Sequence, residues 1–173
     1  MHLRRYRKSD ISQIARLYYD TIHKVNCKDY SPLQIQAWAP KVYPTRFWAA
    51  RFCRYTVYVV EDQKQIIGFA EFEKTGHIDC FYVHYAWQGK GVGSLMLAVI
   101  GQQARRLRLR RLFADVSLTA MPFFKHHGFV IKRHQKKIYR GQRFSQYVMV
   151  KPLTATSRSQ LHGKTNGYAD KVT

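Results

Sequence analysis

Acidic residues are scarce in this chain: 10 Asp and Glu stand against 30 Lys and Arg over 173 residues, a formal charge of +20. That balance attracts polyanions (nucleic acid, acidic protein surfaces, or a phosphate-rich small molecule), and charge alone does not choose among them. Cysteine is also rare. Cys27, Cys53 and Cys80 are odd in number, widely spaced and form no C-x-x-C pair, which excludes a disulfide framework and a dithiol redox motif. They fall in apolar stretches, so reduced, buried thiols in a cytoplasmic protein are expected. No apolar run approaches the ~18–20 residues of a membrane-spanning helix. The N-terminus, MHLRRYRKSD, has basic residues with no apolar segment behind them and does not read as a secretory signal. Spaced metal-ligand sets are lacking too. His126 and His127 are adjacent, so on a helix they point ~100° apart and chelate poorly. They read as exposed helix-end residues, and no metal is expected.

What remains is a globular composition, with 46% hydrophobic and 14% aromatic residues and no internal repeat. Residues 1–153 read as one domain, and residues 154–173 turn polar without periodicity and read as a flexible tail. Leu3–Tyr6 suits a first strand. Ile11, Ile14, Leu17 and Ile22 recur at helical spacing, and Ser31-Pro32 opens a second helix that ends before Pro40. Thr45–Phe52 adds a helical turn or two. Tyr55–Val60, Ile66–Glu73 and His77–His84 form an antiparallel meander, followed by a long apolar helix from Ser94. Leu112–Val116 is a further strand, Thr119–His127 a short helix closed by Gly128, and Phe129–Tyr139 with Arg143–Val150 a final hairpin.

The stretch of greatest consequence joins the meander to the long helix: Gln88-Gly89-Lys90-Gly91-Val92-Gly93-Ser94. Three glycines in five residues weaken a helix interior by roughly 1 kcal/mol each. At a helix N-terminus they let an anion approach free N–H groups with the helix dipole behind them. The spacing is neither that of a Walker loop nor that of the G-x-G-x-x-G dinucleotide fingerprint.

Gln88, Gly91 and Gly93 resemble the Q/R-x-x-G-x-G/A segment of the GNAT superfamily of N-acetyltransferases. A second stretch, Ser117 to Phe129, resembles the family's N-x-x-A-x-x-L/F-Y-x-K/R-x-G-F pattern through Ala120, Phe123, Gly128 and Phe129. The resemblance covers residues 1 to about 153. It implies an α/β (α+β) fold: a mixed, mostly antiparallel central sheet of about seven strands flanked by helices, in the order β-α-α-β-β-β-α-β-α-β-β. It also implies acetyl-CoA as co-substrate and transfer of its acetyl group to a primary amine of a small molecule or protein. The pantetheine arm is then expected along the main chain of Phe81 and Val83. The pyrophosphate is expected on Gln88, Gly89, Lys90, Gly91, Val92, Gly93 and Ser94, with Ser117 and Phe124 at the positions of the second motif. Tyr30 and Trp38 fall in the segment that walls the acceptor site in the family.

Two departures bear on mechanism. Ser117 replaces the asparagine of the pattern, and Phe124 replaces the tyrosine thought in many members to protonate the departing thiolate, which a phenyl ring cannot do. The base that takes the amine's proton has four candidates. Strand alternation places His77 and Asp79 on one face with Phe81 and Val83, and Glu71 and Glu73 share a face of the neighbouring strand. Two other readings stay open: an RNA-directed enzyme acetylating the amine of an aminoacyl-tRNA, and a regulatory protein that binds acyl-CoA without turnover. A monomer or homodimer is expected.

Overall fold

The β-branched and aromatic stretches between residues 56 and 83 fold as the expected meander: β2 (Thr56–Asp62), β3 (Gln65–Phe72) and β4 (His77–Val83). They form the middle of the computed structural model, which describes residues 1–153; the expected tail, 154–173, lies outside the described residues. β1 (His2–Arg5) borders β2, β5 (Arg111–Ser117) follows β4, and the hairpin of β6 (Val130–Tyr139) and β7 (Gln142–Pro152) completes seven strands in the order β1-β2-β3-β4-β5-β7-β6. Every neighbouring pair is antiparallel except β4 and β5, which run parallel.

Helices cover both faces of β2–β4. On one side lie α1 (Ile11–Lys24) and α3 (Thr45–Phe52), whose Ile14, Leu17, Trp48 and Phe52 pack on Val57, Val59 and Phe69. On the other lies α4 (Val92–Arg106), with Met96, Leu97 and Ile100 against Ala70, Ile78 and Ala114. The stretch 45–52, read from sequence as extra turns, is thus a third helix with a face of its own. α2 (Pro32–Trp38) begins at a capping box: Ser31 Oγ accepts from Gln34 N–H at 3.3 Å, and Gln34 Oε1 accepts from Ser31 N–H at 2.8 Å. α5 (Met121–His126) is short and ends before Gly128, whose φ of +81° closes it. No helix among the described residues is long and apolar enough to cross a membrane.

One irregularity decides the site. Between Phe72↔Ile78 and Ala70↔Phe81, two steps along β3 face three along β4, so β4 carries one extra residue, a β-bulge at Asp79–Cys80. The expectation that His77, Asp79, Phe81 and Val83 share a face is therefore wrong. Ile78, Phe81 and Val83 pack on the α4 side, whereas Cys80 and Tyr82 pack on the α1–α3 side. The bulge shifts the alternation by one residue, turning Asp79 toward α3 and away from Phe81. The cysteine expectation also fails in part: Cys27 and Cys53 are exposed and Cys80 is half-buried, all three as free thiols. Cys27 follows the end of α1 and Cys53 caps the end of α3, where the apolar stripe gives out.

Candidate active site

β4 and β5 pair only at His77↔Phe113 and Ile78↔Ala114. Beyond those two rungs the strands diverge around a cleft of about 360 Å³. Phe81 and Val83 form one wall and Val116 and Ser117 the other. Gly89, Gly91, Gly93 and Ser94 stand at the α4 mouth, and Thr21, Asn26 and Trp38 close the α1–α2 side.

At the α4 mouth, Gly89 and Gly91 have φ of +72° and +79°, a left-handed backbone that glycine adopts without strain, and a Cβ at either would meet nothing within 4 Å. Gly91 directly precedes the helix, which starts at Val92, two residues earlier than the sequence suggested. The third glycine has another purpose. A Cβ on Gly93 would lie 2.7 Å from Phe123 Cζ, so its bareness makes room for that ring and not for a ligand. Val92 is buried beneath the mouth and faces it with main chain alone.

The side chains at this mouth largely brace one another. Gln88 Nε2 donates to Val83 O at 2.7 Å, so it turns back onto β4. Lys90 Nζ sits 5.1 Å above the Trp87 ring. Ser117 Oγ accepts from Ala120 N–H at 3.1 Å and caps the turn before α5. Ser94 Oγ lies 2.9 Å from His127 Nε2, and His127 Nδ1 lies 2.9 Å from Phe123 O. A neutral ring with its proton on Nδ1 satisfies both contacts. His127 is half-buried and lines the cleft, contrary to the reading of both histidines as helix-end surface residues.

Main-chain groups of β4 point into the opening. His84 N–H donates to Ile67 O, and the antiparallel ladder alternates, so Tyr82 bonds to Phe69 while Phe81 and Val83 turn their polar groups the other way, toward β5. Val83 O is already engaged by Gln88 and by Thr21 Oγ1, the latter at 3.1 Å. Its N–H remains as a donor facing the cleft. Phe124, 2% exposed, packs against Phe81, Phe123 and Phe129 with centroids 4.9–5.5 Å apart and dries this wall.

Of the four candidate bases, the structure brings Asp79 to the cleft and leaves the others outside its lining. Asp79 Oδ2 accepts from Arg51 Nη2 at 2.6 Å and from the Tyr55 hydroxyl at 2.8 Å. Burial and the bond to Asp79 push the Tyr55 phenol up to about 12. Glu71 is fully buried; burial raises its carboxyl pKa, and the Arg51 guanidinium, which it binds at 2.6–3.0 Å, only partly offsets this. Burial opposes the charge of Arg51, but its bonds to Glu71 and the nearby carboxylates outweigh that and hold it cationic. Glu71, Asp79 and Cys80 converge within 4.8 Å, with the Arg51 guanidinium supplying the cation among them. His77 bonds Glu73 through Nδ1 at 3.0 Å and stacks on Phe113. Tyr30, expected near the acceptor, supports the wall from behind: its hydroxyl donates to Ser145 O at 3.0 Å and accepts from Leu118 N–H at 2.9 Å. Trp38 does line the cleft. Sequence reasoning missed Thr21, Arg51, Tyr55 and Asp115, none of which lies in a motif; only the fold brings them here.

Comparison with known proteins agrees with this geometry. The family described as "Acetyltransferase (GNAT) domain" matches residues 26–151. The chain is 28% identical over 149 residues to the uncharacterized N-acetyltransferase YafP of Escherichia coli, covering 86% of this chain and 94% of that protein. It superposes on a GCN5-related N-acetyltransferase from Rhodopseudomonas palustris with a TM-score of 0.83 at 28% identity, covering 88% of this chain and 95% of the other. It also shares its fold with PaiA N-acetyltransferase from Thermoplasma acidophilum, solved in complex with coenzyme A, with a TM-score of 0.75 at 14% identity and coverage of 88% and 98%. A sheet parted between β4 and β5, a glycine turn at the head of α4 and a sequence match over most of its length lead to one conclusion: this chain belongs to the GNAT family of N-acetyltransferases.

Proposed function

We propose that the protein transfers the acetyl group of acetyl-CoA to a primary amine of a small molecule or protein by direct attack in a ternary complex. The observation that carries this reading is the cleft's two-sidedness. On the α4 side are free main-chain N–H groups behind bare, left-handed glycines, and on the α1–α3 side is a fixed carboxylate, Asp79.

The N–H groups at the start of α4 would hold the diphosphate of the carrier, and the Phe81 and Val83 main chain its pantetheine arm. The Val83 N–H, turned away from β3 by the alternation of the ladder, would donate to the thioester oxygen as it gains charge during the amine's attack. Asp79, held by Arg51 and Tyr55, accepts the proton that the attacking amine must lose. Nothing at Phe124 donates a proton to the leaving sulfur. A thiol with an unperturbed pKa near 8.5 leaves tolerably as the thiolate, so the missing hydroxyl slows release without preventing it.

The test pairs calorimetry with a thiol-release assay over a panel of amines and peptides. Gly91→Asp should abolish acetyl-CoA binding, and Asp79→Asn should keep binding while lowering kcat/KM by about 10²-fold, the low end for general-base loss. Unchanged affinity in the first variant removes the cradle, and unchanged rate in the second removes the base.

A further inference from the structure

The cleft's α1–α2 side continues outward into a rim that acetyl transfer does not use. From Val116 through Pro152 the sequence has no Asp or Glu, while Lys125, Lys132, Arg133, Lys136, Lys137, Arg140, Arg143 and Lys151 supply eight cations. Seven of these lie on the β6–β7 hairpin. Nine of the ten residues of β6 are exposed, and β6 is the last strand of the sheet, so its outer edge pairs with no strand among the described residues.

The hairpin tip is not loose. Arg140 and Gly141 make its two-residue turn with φ of +46° and +75°. Gln34 Nε2 donates to Arg143 O at 2.6 Å, and Arg140 Nη1 donates to Ala37 O at 3.4 Å. The Arg140 guanidinium lies 5.2 Å from the Tyr139 ring and 5.7 Å from the Tyr43 ring. Tyr43 in turn stacks on Phe47 at 4.6 Å, and Tyr139 and Trp38 both contact Phe144. A row of rings with the Arg140 guanidinium set among them thus runs from Trp38, in the cleft wall, to Phe47 and Tyr139, which are 43% and 45% exposed.

We infer that this rim is a docking surface for single-stranded nucleic acid. Cations spaced along an extended edge match a phosphate backbone. Exposed rings give bases a face to stack on, an interaction that every base offers whatever its sequence. An acidic peptide would use the cations and leave the rings idle. A second copy of the same edge is opposed by its own lysines and arginines. The surface is separate from the residues proposed for acetyl transfer, so either reading stands or falls without the other. Its position at the acceptor end puts any bound strand beside the cleft.

The experiment is fluorescence anisotropy of the full chain with a labelled uridine 12-mer and a thymidine 12-mer, at salt concentrations around 0.15 M, where distant charges are screened. Three variants enter: Arg140→Glu with Arg143→Glu; Tyr139→Ala; and, as an equal charge change far from the rim, Arg105→Glu with Arg106→Glu. The hairpin pair should weaken binding by at least tenfold and flatten the log–log salt slope by about 1.4, two contacts at ~0.7 each for a single strand. Tyr139→Ala should cost about fivefold or more with the slope unchanged, as lost stacking does. The control pair should stay within about twofold. Comparable affinity for the two strands, or tighter binding of the uridine strand, supports the proposal. Equal losses in the two charge-reversed pairs, a flat salt response, or polyglutamate competing as well as RNA overturns it. Coenzyme A affinity and thermal melts of each variant separate a folding defect from a lost surface.

Discussion

Removing the Arg51 guanidinium with Arg51→Met should expose how Glu71 is held. Glu71 is completely buried and, among the described residues, takes its salt bridge from Arg51 alone. Without that partner the carboxylate either stays charged, at roughly 3–5 kcal/mol, or takes a proton. The second route caps the loss. Raising a carboxyl from its ordinary 4.5 to above pH 7 costs about 1.4 kcal/mol per pH unit, hence about 3.4 kcal/mol at pH 7. The sign follows from linkage. A carboxyl whose folded-state pKa is raised favours the fold fully below its unfolded value and loses that contribution as pH climbs through the folded one. Burial already raises the Glu71 pKa in the parent, so the variant's deficit should be at most about 3.4 kcal/mol at pH 7 and should shrink on going to pH 5. Urea unfolding followed by the fluorescence of the buried Trp48 measures both values on the same sample. Arg51→Met with Glu71→Gln should recover most of the loss. A deficit equal at the two pH values would refute the reasoning, because the cost would then be packing and not an orphaned charge.

Gly93→Ala forces a methyl to within 2.7 Å of the Phe123 ring, so it should lower stability by about 1–3 kcal/mol, and Phe123→Leu in the same chain should restore much of it. At the opposite edge of the sheet, burial alone would raise the Asp10 carboxyl pKa, but two bonds from Arg4 and one from the Arg7 N–H bring it below the usual value. Its contribution is present above the unfolded pKa and lost as pH falls through the lower folded value, so Asp10→Asn should destabilise at pH 7 and cost less at pH 3 in the same urea titration. Phe124→Tyr should raise thiol release several-fold at pH 7 with coenzyme A affinity unchanged, if the departing sulfur lacks a proton donor in the parent; an unaltered rate would show that it needs none.

Much of the fold was legible because its signals are local. The meander shows in β-branched runs separated by short turns, the long helix in its apolar spacing, and α2 in the Ser31-Pro32 start. Gly89 and Gly91 were legible as a helix-mouth turn for the same reason: glycines in an otherwise regular stretch mark backbone that other residues avoid. The third helix was less clear because Thr45–Phe52 is short and aromatic on several sides, which blurs its period.

The chemistry on the α3 side was not legible. Strand alternation assigned four residues of β4 to one face, yet a single inserted residue at Asp79–Cys80 moved Asp79 to the other, and no local pattern marks where a bulge falls. Arg51, Glu71 and Asp79 are 20 and 28 positions apart along the chain, and they meet only once α3 has docked on the meander. Spacing along the chain thus determined which segments become helix or strand and where the backbone stays bare for an anion. Packing between segments decided which carboxylate reaches the cleft and which is locked away, because burial and charge pairing depend on neighbours that sequence order does not reveal.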